Sequence, residues 1–165
     1  MILTAFTLAH VLISLAGIAS GFVVMYGLVA AKRFDFWTAF FLLTTVLTSV
    51  TGFFFPVEHF TPGHALGIVS LLVLPVAIFA RYRQNLAGAW RPTYVISAVI
   101  SLYLNVFVLI VQSFQKIPAL AVLAPTQSEP PFLVAQVVAL ALFVALGIVA
   151  TIRFRGEAAP HTAAV

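Results

Sequence analysis

Residues 2–33, ILTAFTLAHVLISLAGIASGFVVMYGLVAAKR, run for thirty positions without an Asp, Glu, Lys or Arg before Lys32 and Arg33 close the stretch. A hydrocarbon core takes roughly 20 helical residues to cross. A continuous apolar run of this length reads as a helix, because strands of a membrane barrel show alternating segments of about ten residues. Four further stretches follow the same rule: about Phe36 to Phe55, Gly63 to Tyr82, Thr93 to Phe114, and Phe132 to Ile152. The whole chain fits this pattern. Only 7% of its 165 residues are charged and 63% are hydrophobic, whereas a soluble domain carries about 25% charge, and the mean hydropathy is +1.17. The sequence therefore predicts an all-α polytopic membrane protein: a bundle of five transmembrane helices in one domain over 1–155, with a short disordered tail at 156–165.

The basic residues report orientation before they report a partner. Lys32 and Arg33 follow the first span, Arg81, Arg83 and Arg91 lie between the third and fourth, and Arg153 and Arg155 follow the fifth, so seven of the eight share one face and only Lys116 takes the other. By the positive-inside rule that face is cytoplasmic, with the amino terminus outside and the carboxyl terminus inside. The net charge of +4 is absorbed by this asymmetry and calls for no nucleic acid. The expected partners are the lipid bilayer and a homo-oligomer or larger membrane complex, and the expected location is the inner membrane. The first span has no basic segment ahead of it and is longer than a signal-peptide core, so it reads as a retained helix rather than a leader cleaved after Ala19. With no cysteine, disulfides, thiolate metal sites, iron–sulfur clusters and cysteine nucleophiles are excluded.

Between the spans there is little room. Asp35 and Pro56 to Pro62 mark tight turns, and Arg83 to Pro92 is a short basic loop. Only Gln115 to Pro131 is long; its apolar middle, Ile117 to Leu123, reads as a helix along the interface, and Ser128, Glu129, Pro130 and Pro131 open the last span. Inside the spans, small and hydroxyl residues at spacing four mark close helix approach: Ser14, Gly17 and Gly21; Thr44, Thr48 and Gly52; Ser97, Ser101 and Asn105. Packing is the ordinary reading of such stripes, and a solute path along Thr48, Ser101 and Asn105 is the functional one. Asn105 is the strongly polar residue nearest mid-membrane and is expected to bond to a neighbouring helix. Pro75 deprives the third span of one backbone bond. No span carries a charge at its centre, where ion-coupled carriers usually hold one.

Histidine is more informative. His10 lies near the outer boundary of the first span, His59 in the following outer loop, and His64 in the first turn of the third span behind Thr61 and Pro62. Glu58 adjoins them, and Glu129, Gln112, Gln115, Lys116 and Gln136 lie toward the same level. Imidazoles and a carboxylate are ordinary ligands of zinc or copper, so His10, Glu58, His59 and His64 form a candidate divalent-metal set, although their spacing matches no tight motif. A b-type haem would use His10 and His64 as axial ligands, and a quinone would take a hydrogen bond from one histidine and Glu58. The plain alternative is a set of interfacial histidines capping helices at a wet boundary. No residue is assigned a catalytic role. The leading function is a small binding or electron-transfer subunit with its site at the outer interface; a solute permease or channel and a structural accessory subunit are the rival classes.

The run Thr51 to Tyr82, with Gly52, Phe53, Glu58, His64, Gly67, Ala80 and Arg81, resembles stretches of small multi-pass bacterial inner-membrane proteins, as does Ala124–Pro125–Thr126–Gln127–Ser128–Glu129–Pro130–Pro131 ahead of the last helix. That likeness implies a location and a fold but brings no activity. More loosely, the chain resembles membrane cytochrome domains with few histidines, without the four intramembrane histidines of a two-haem cytochrome.

Overall fold

The computed structural model describes residues 2–56 and 62–155. Over these residues the chain is helical throughout and contains no strand: α1 (Ile2–Val29), α2 (Asp35–Gly52), α3 (Pro62–Ile78), α4 (Trp90–Lys116), α5 (Pro118–Leu123) and α6 (Pro130–Arg153), with a π-helical turn, Phe79–Arg83, extending α3. Among the described residues four segments are long and apolar enough to cross a membrane, Leu3–Val29, Pro62–Arg83, Trp90–Lys116 and Pro130–Arg153. The chain is a multi-pass membrane protein.

The expected fifth span forms a helix but is not among those four. α2 has 18 residues, begins on Asp35 and carries Thr38, Thr44, Thr45, Thr48, Ser49 and Thr51, so it is shorter than each of those four segments and more polar than α1 and α3. Three of its hydroxyls are nevertheless satisfied within the helix: Thr44 donates to the Phe40 carbonyl at 2.7 Å, Ser49 to that of Thr45 at 2.9 Å and Thr51 to that of Leu47 at 2.6 Å. This is how hydroxyl side chains stay paired in a medium without water. Several boundaries also move, and α2 ends at Gly52 rather than Phe55. α4 begins at Trp90 rather than Thr93, and the interface segment winds into helix from Pro118, where proline suits a first turn because its missing N–H would be unpaired in any case.

α1 packs along α2, α2 against α3, and α3 against α4; α4 also touches α1, α5 and α6 and so stands at the centre. The principal core gathers in one half of the bundle. Val24 and Leu28 of α1, Phe41 of α2, Leu74 of α3, Leu102 of α4 and Phe143 of α6 are buried together there. Gly21 permits the approach of α1: a Cβ at this position would lie 2.4 Å from Leu102 Cδ1 and 2.9 Å from the Phe41 ring.

This tight half ends in the basic residues. Arg81 is 5% exposed, although a charged residue at a helix end is normally solvated. Its guanidinium is hydrogen-bonded to Asp35 and its Cζ stands 5.2 Å from the centre of the Tyr94 ring and 5.7 Å from that of Tyr82, so one cation is neutralised by α2 and faced by two rings. Arg33 reaches the same carboxylate at 3.7 Å. Asn85 and Leu86 turn the chain with φ of 49° and 58°, and Leu86 is buried beneath that turn.

At the opposite end the packing is looser. Phe114, Ala124 and Phe132 form a second, smaller cluster where α4, the segment after α5 and α6 meet. The connection into α6 is held by Glu129, whose carboxylate accepts from Thr126 Oγ1 at 2.8 Å and from the backbone N–H groups of Thr126 and Ser128, each at 3.1 Å. Glu129 thus occupies the cap position of α6 with its side chain turned back onto its own loop. Slight desolvation pulls its carboxyl upward, but the Thr126 hydroxyl and the backbone donors outweigh it and hold the group below the usual carboxylate range.

Candidate functional site

Away from the principal core, α1, α2, α3 and α4 enclose a cavity of about 450 Å³. Specific small-molecule sites occupy roughly 300–1,000 Å³ and combine apolar walls with a few converging polar groups. Val11, Leu15, Ile18, Leu104 and Val108 supply apolar wall, and His10, His64, Asn105, Gln112 and Lys116 supply the polar groups. Described residues of α6 take no part in this lining.

His10 stands on α1 between α2 and the cavity. Its Nδ1 is 2.8 Å from Thr51 Oγ1, and its ring meets Phe55 edge-on at 5.0 Å between centres. One turn further, Ser14 donates to the His10 carbonyl at 2.7 Å and approaches Thr48 Oγ1 at 3.3 Å. His64, in the first turn of α3, packs against Phe53 with ring centres 5.5 Å apart. Gly67, one turn on, lets the Phe53 ring in, since a Cβ there would meet it at 3.0 Å. The two histidines proposed as a haem pair therefore line one cavity from two helices.

The four-residue metal set is not assembled among the described residues. Glu58 and His59 lie outside them, and the described residues hold no group of three or more His, Cys, Asp or Glu placed to share an ion. The polar stripe also divides. Asn105 Nδ2 donates to Thr45 Oγ1 at 3.2 Å, the expected bond to a neighbouring helix, and both Asn105 and Thr48 line the cavity. Ser101 does not: it is wholly buried and donates to the Ser97 carbonyl at 2.8 Å. A continuous path through Thr48, Ser101 and Asn105 is therefore not formed. Gln136 sits apart, donating to the Phe107 carbonyl at 3.3 Å with its own Oε1 unpaired.

The sequence does not show Thr51 as the partner of His10. That pairing depends on how α1 and α2 are rotated against each other, which neither sequence segment encodes alone. Phe53 and Phe55 likewise read as bulk at a helix end, yet their rings border the histidines.

Fold and cavity together define a helical multi-pass membrane protein with a half-open cavity toward one end of its bundle. No family model matches the chain, and neither the curated proteins nor the solved structures provide a match.

Proposed function

We propose that this chain is a small binding or electron-transfer subunit of the bacterial inner membrane that holds an amphipathic small molecule between α1, α2, α3 and α4. α2 serves as a fifth span, the amino terminus faces outward, and the cavity lies in the outer half of the bilayer. The observation that supports this best is the cavity itself: about 450 Å³ of apolar wall with two imidazoles, two amides and one ammonium gathered on it. A membrane-soluble ligand would enter from lipid and keep its apolar body against Leu15 and Val108 while its polar head meets His10 or His64.

A b-type haem is the second reading, favoured by one observation. His10 has its Nδ1 held by a hydroxyl on another helix, which is how ligating histidines are commonly oriented while Nε2 coordinates.

Purification in native lipid discs, followed by solvent extraction and mass spectrometry, tests the proposal. We expect an amphipathic species at close to one per chain, reduced at least fivefold in His10→Leu and in the cavity-filling Val108→Trp. A Soret band that shifts on reduction and is lost in both His10→Leu and His64→Ala would assign the cavity to haem instead. Preparations free of both species, with cavity and wild-type proteins indistinguishable, would overturn the binding role.

A further inference from the structure

The hydrogen bonds around Thr51 fix which atom of His10 is available to a ligand. A hydroxyl carries one proton. Thr51 Oγ1 lies 2.6 Å from the Leu47 carbonyl and 3.3 Å from that of Thr48, and neither carbonyl can donate, so the single proton is committed within α2. Toward His10, at 2.8 Å, the same oxygen can then only accept. Nδ1 must carry the hydrogen, and in the neutral ring that leaves Nε2 as a bare lone pair. Among the described residues no hydrogen bond reaches Nε2, and His10 lines the cavity.

From this we infer that the cavity selects a hydroxyl donor on an aromatic, apolar body: a phenol or hydroquinone that donates to His10 Nε2, in preference to the quinone or ether that offers only acceptors. The inference rests on the amphipathic-ligand reading of the cavity and adds the chemical class. The aromatic part follows from the walls. Phe55 stands edge-on to His10 and Phe53 packs on His64, so a ring placed between the histidines meets aromatic faces and edges. A phenolic proton is a stronger donor than an aliphatic one, and Lys116 on the same lining favours the negative charge drawn onto its oxygen. A ligand without the proton would set an acceptor against the Nε2 lone pair, and a buried acceptor left unpaired is disfavoured.

Two probes differing only in that proton make the test: 4-hexylphenol and its methyl ether, titrated at pH 8 against the protein in lipid discs, with protein-free discs correcting for partition. We expect the phenol to bind about tenfold more tightly, the size of one net hydrogen bond, and the preference to fall below about twofold in His10→Leu by the same reckoning. Equal affinities in the wild type would overturn the donor requirement while leaving the cavity as a ligand site. If neither probe binds, the cavity reading falls with it. A preference retained in His10→Leu would remove His10 from the role. The ¹⁵N spectrum of His10 in the wild-type protein gives an independent check that needs no variant. A pyrrole-type Nδ1 with a pyridine-type Nε2 is expected, and the reverse tautomer would overturn the inference.

Discussion

Arg81 shows how far one residue can depart from its sequence-level role. As a basic residue at the end of a span it belongs to the orientation signal, yet its guanidinium is buried against Asp35 and Tyr94. Removing one member of such a pair leaves the other charge without compensation, whereas removing both can be nearly neutral. The Asp35 side chain is 74% exposed, so water screens part of the interaction. Asp35→Asn should therefore lower unfolding stability by about 2 kcal/mol rather than the larger cost of a fully buried pair. The double variant Asp35→Asn, Arg81→Leu should recover at least half of that loss in detergent unfolding titrations. A double variant as weak as the sum of its parts would show that the pair has no coupling. The sequence shows Asp35 as the acidic residue amid basic turns, but not its partner, because a separation of 46 residues becomes a contact only when α2 and α3 are set side by side. Asn105 was more legible, since an amide at mid-helix must find a donor or acceptor on a neighbour; which hydroxyl it finds is again set by packing.

At the level of elements, the apolar runs were readable because lipid leaves the backbone no partner but itself. α1, α3, α4 and α6 answer to that rule, and even the six-residue α5 was foreshadowed by Pro118 and the apolar run after it. α2 was readable as a helix, but its standing as a span is less secure because its threonines lower the hydropathy on which such readings rely. The Gly17 and Gly21 step of α1 was also visible, and the structure identifies what it admits: Thr44 against Gly17, Leu102 and Phe41 against Gly21. Gly21→Ile should push α1 away from α2 and α4 and lower stability by about 2–3 kcal/mol, in the range of overpacked cores. Gly88, with open space around its missing Cβ and φ of +51°, should respond through backbone conformation alone. Comparison of Gly21→Ile with Leu102→Ala, Gly21→Ile in the same unfolding assay separates crowding from helix propensity, since the smaller partner should restore part of the loss only if crowding is the cause. The π-helical turn after Pro75 holds Arg81, whose contacts with Asp35 and Tyr94 lie on other helices and so leave no local sequence signal.

For the whole molecule, the basic residues other than Lys116 gather at one end and the cavity lies toward the other, and the proposed orientation makes these ends cytoplasmic and outer. The chain has no native cysteine, so single replacements report cleanly. Ala87→Cys should react with an impermeant thiol reagent only in inverted vesicles and Gln115→Cys only in intact spheroplasts; the opposite pattern would reverse the orientation, and both reacting from one side would remove a span from the five. The arrangement of the cavity was less legible than the helices that form it. His10 and His64 could be placed at one level by counting residues, whereas the enclosure between them arises because the principal core draws the helices together in only one half of the bundle. That lopsided core carries a consequence for biogenesis. Every described residue lining the cavity falls between Thr7 and Lys116, so its walls all precede α6 in the chain and reach the membrane ahead of it. Until α6 arrives, α4 presents Val99 and Tyr103 to the translocon and lipid instead of to Gly147 and Phe143. The pocket's walls are thus the earlier part of the chain to be inserted, and the last helix acts as a late brace, which makes the interval between insertion of α4 and of α6 the moment at which a ligand could first be captured.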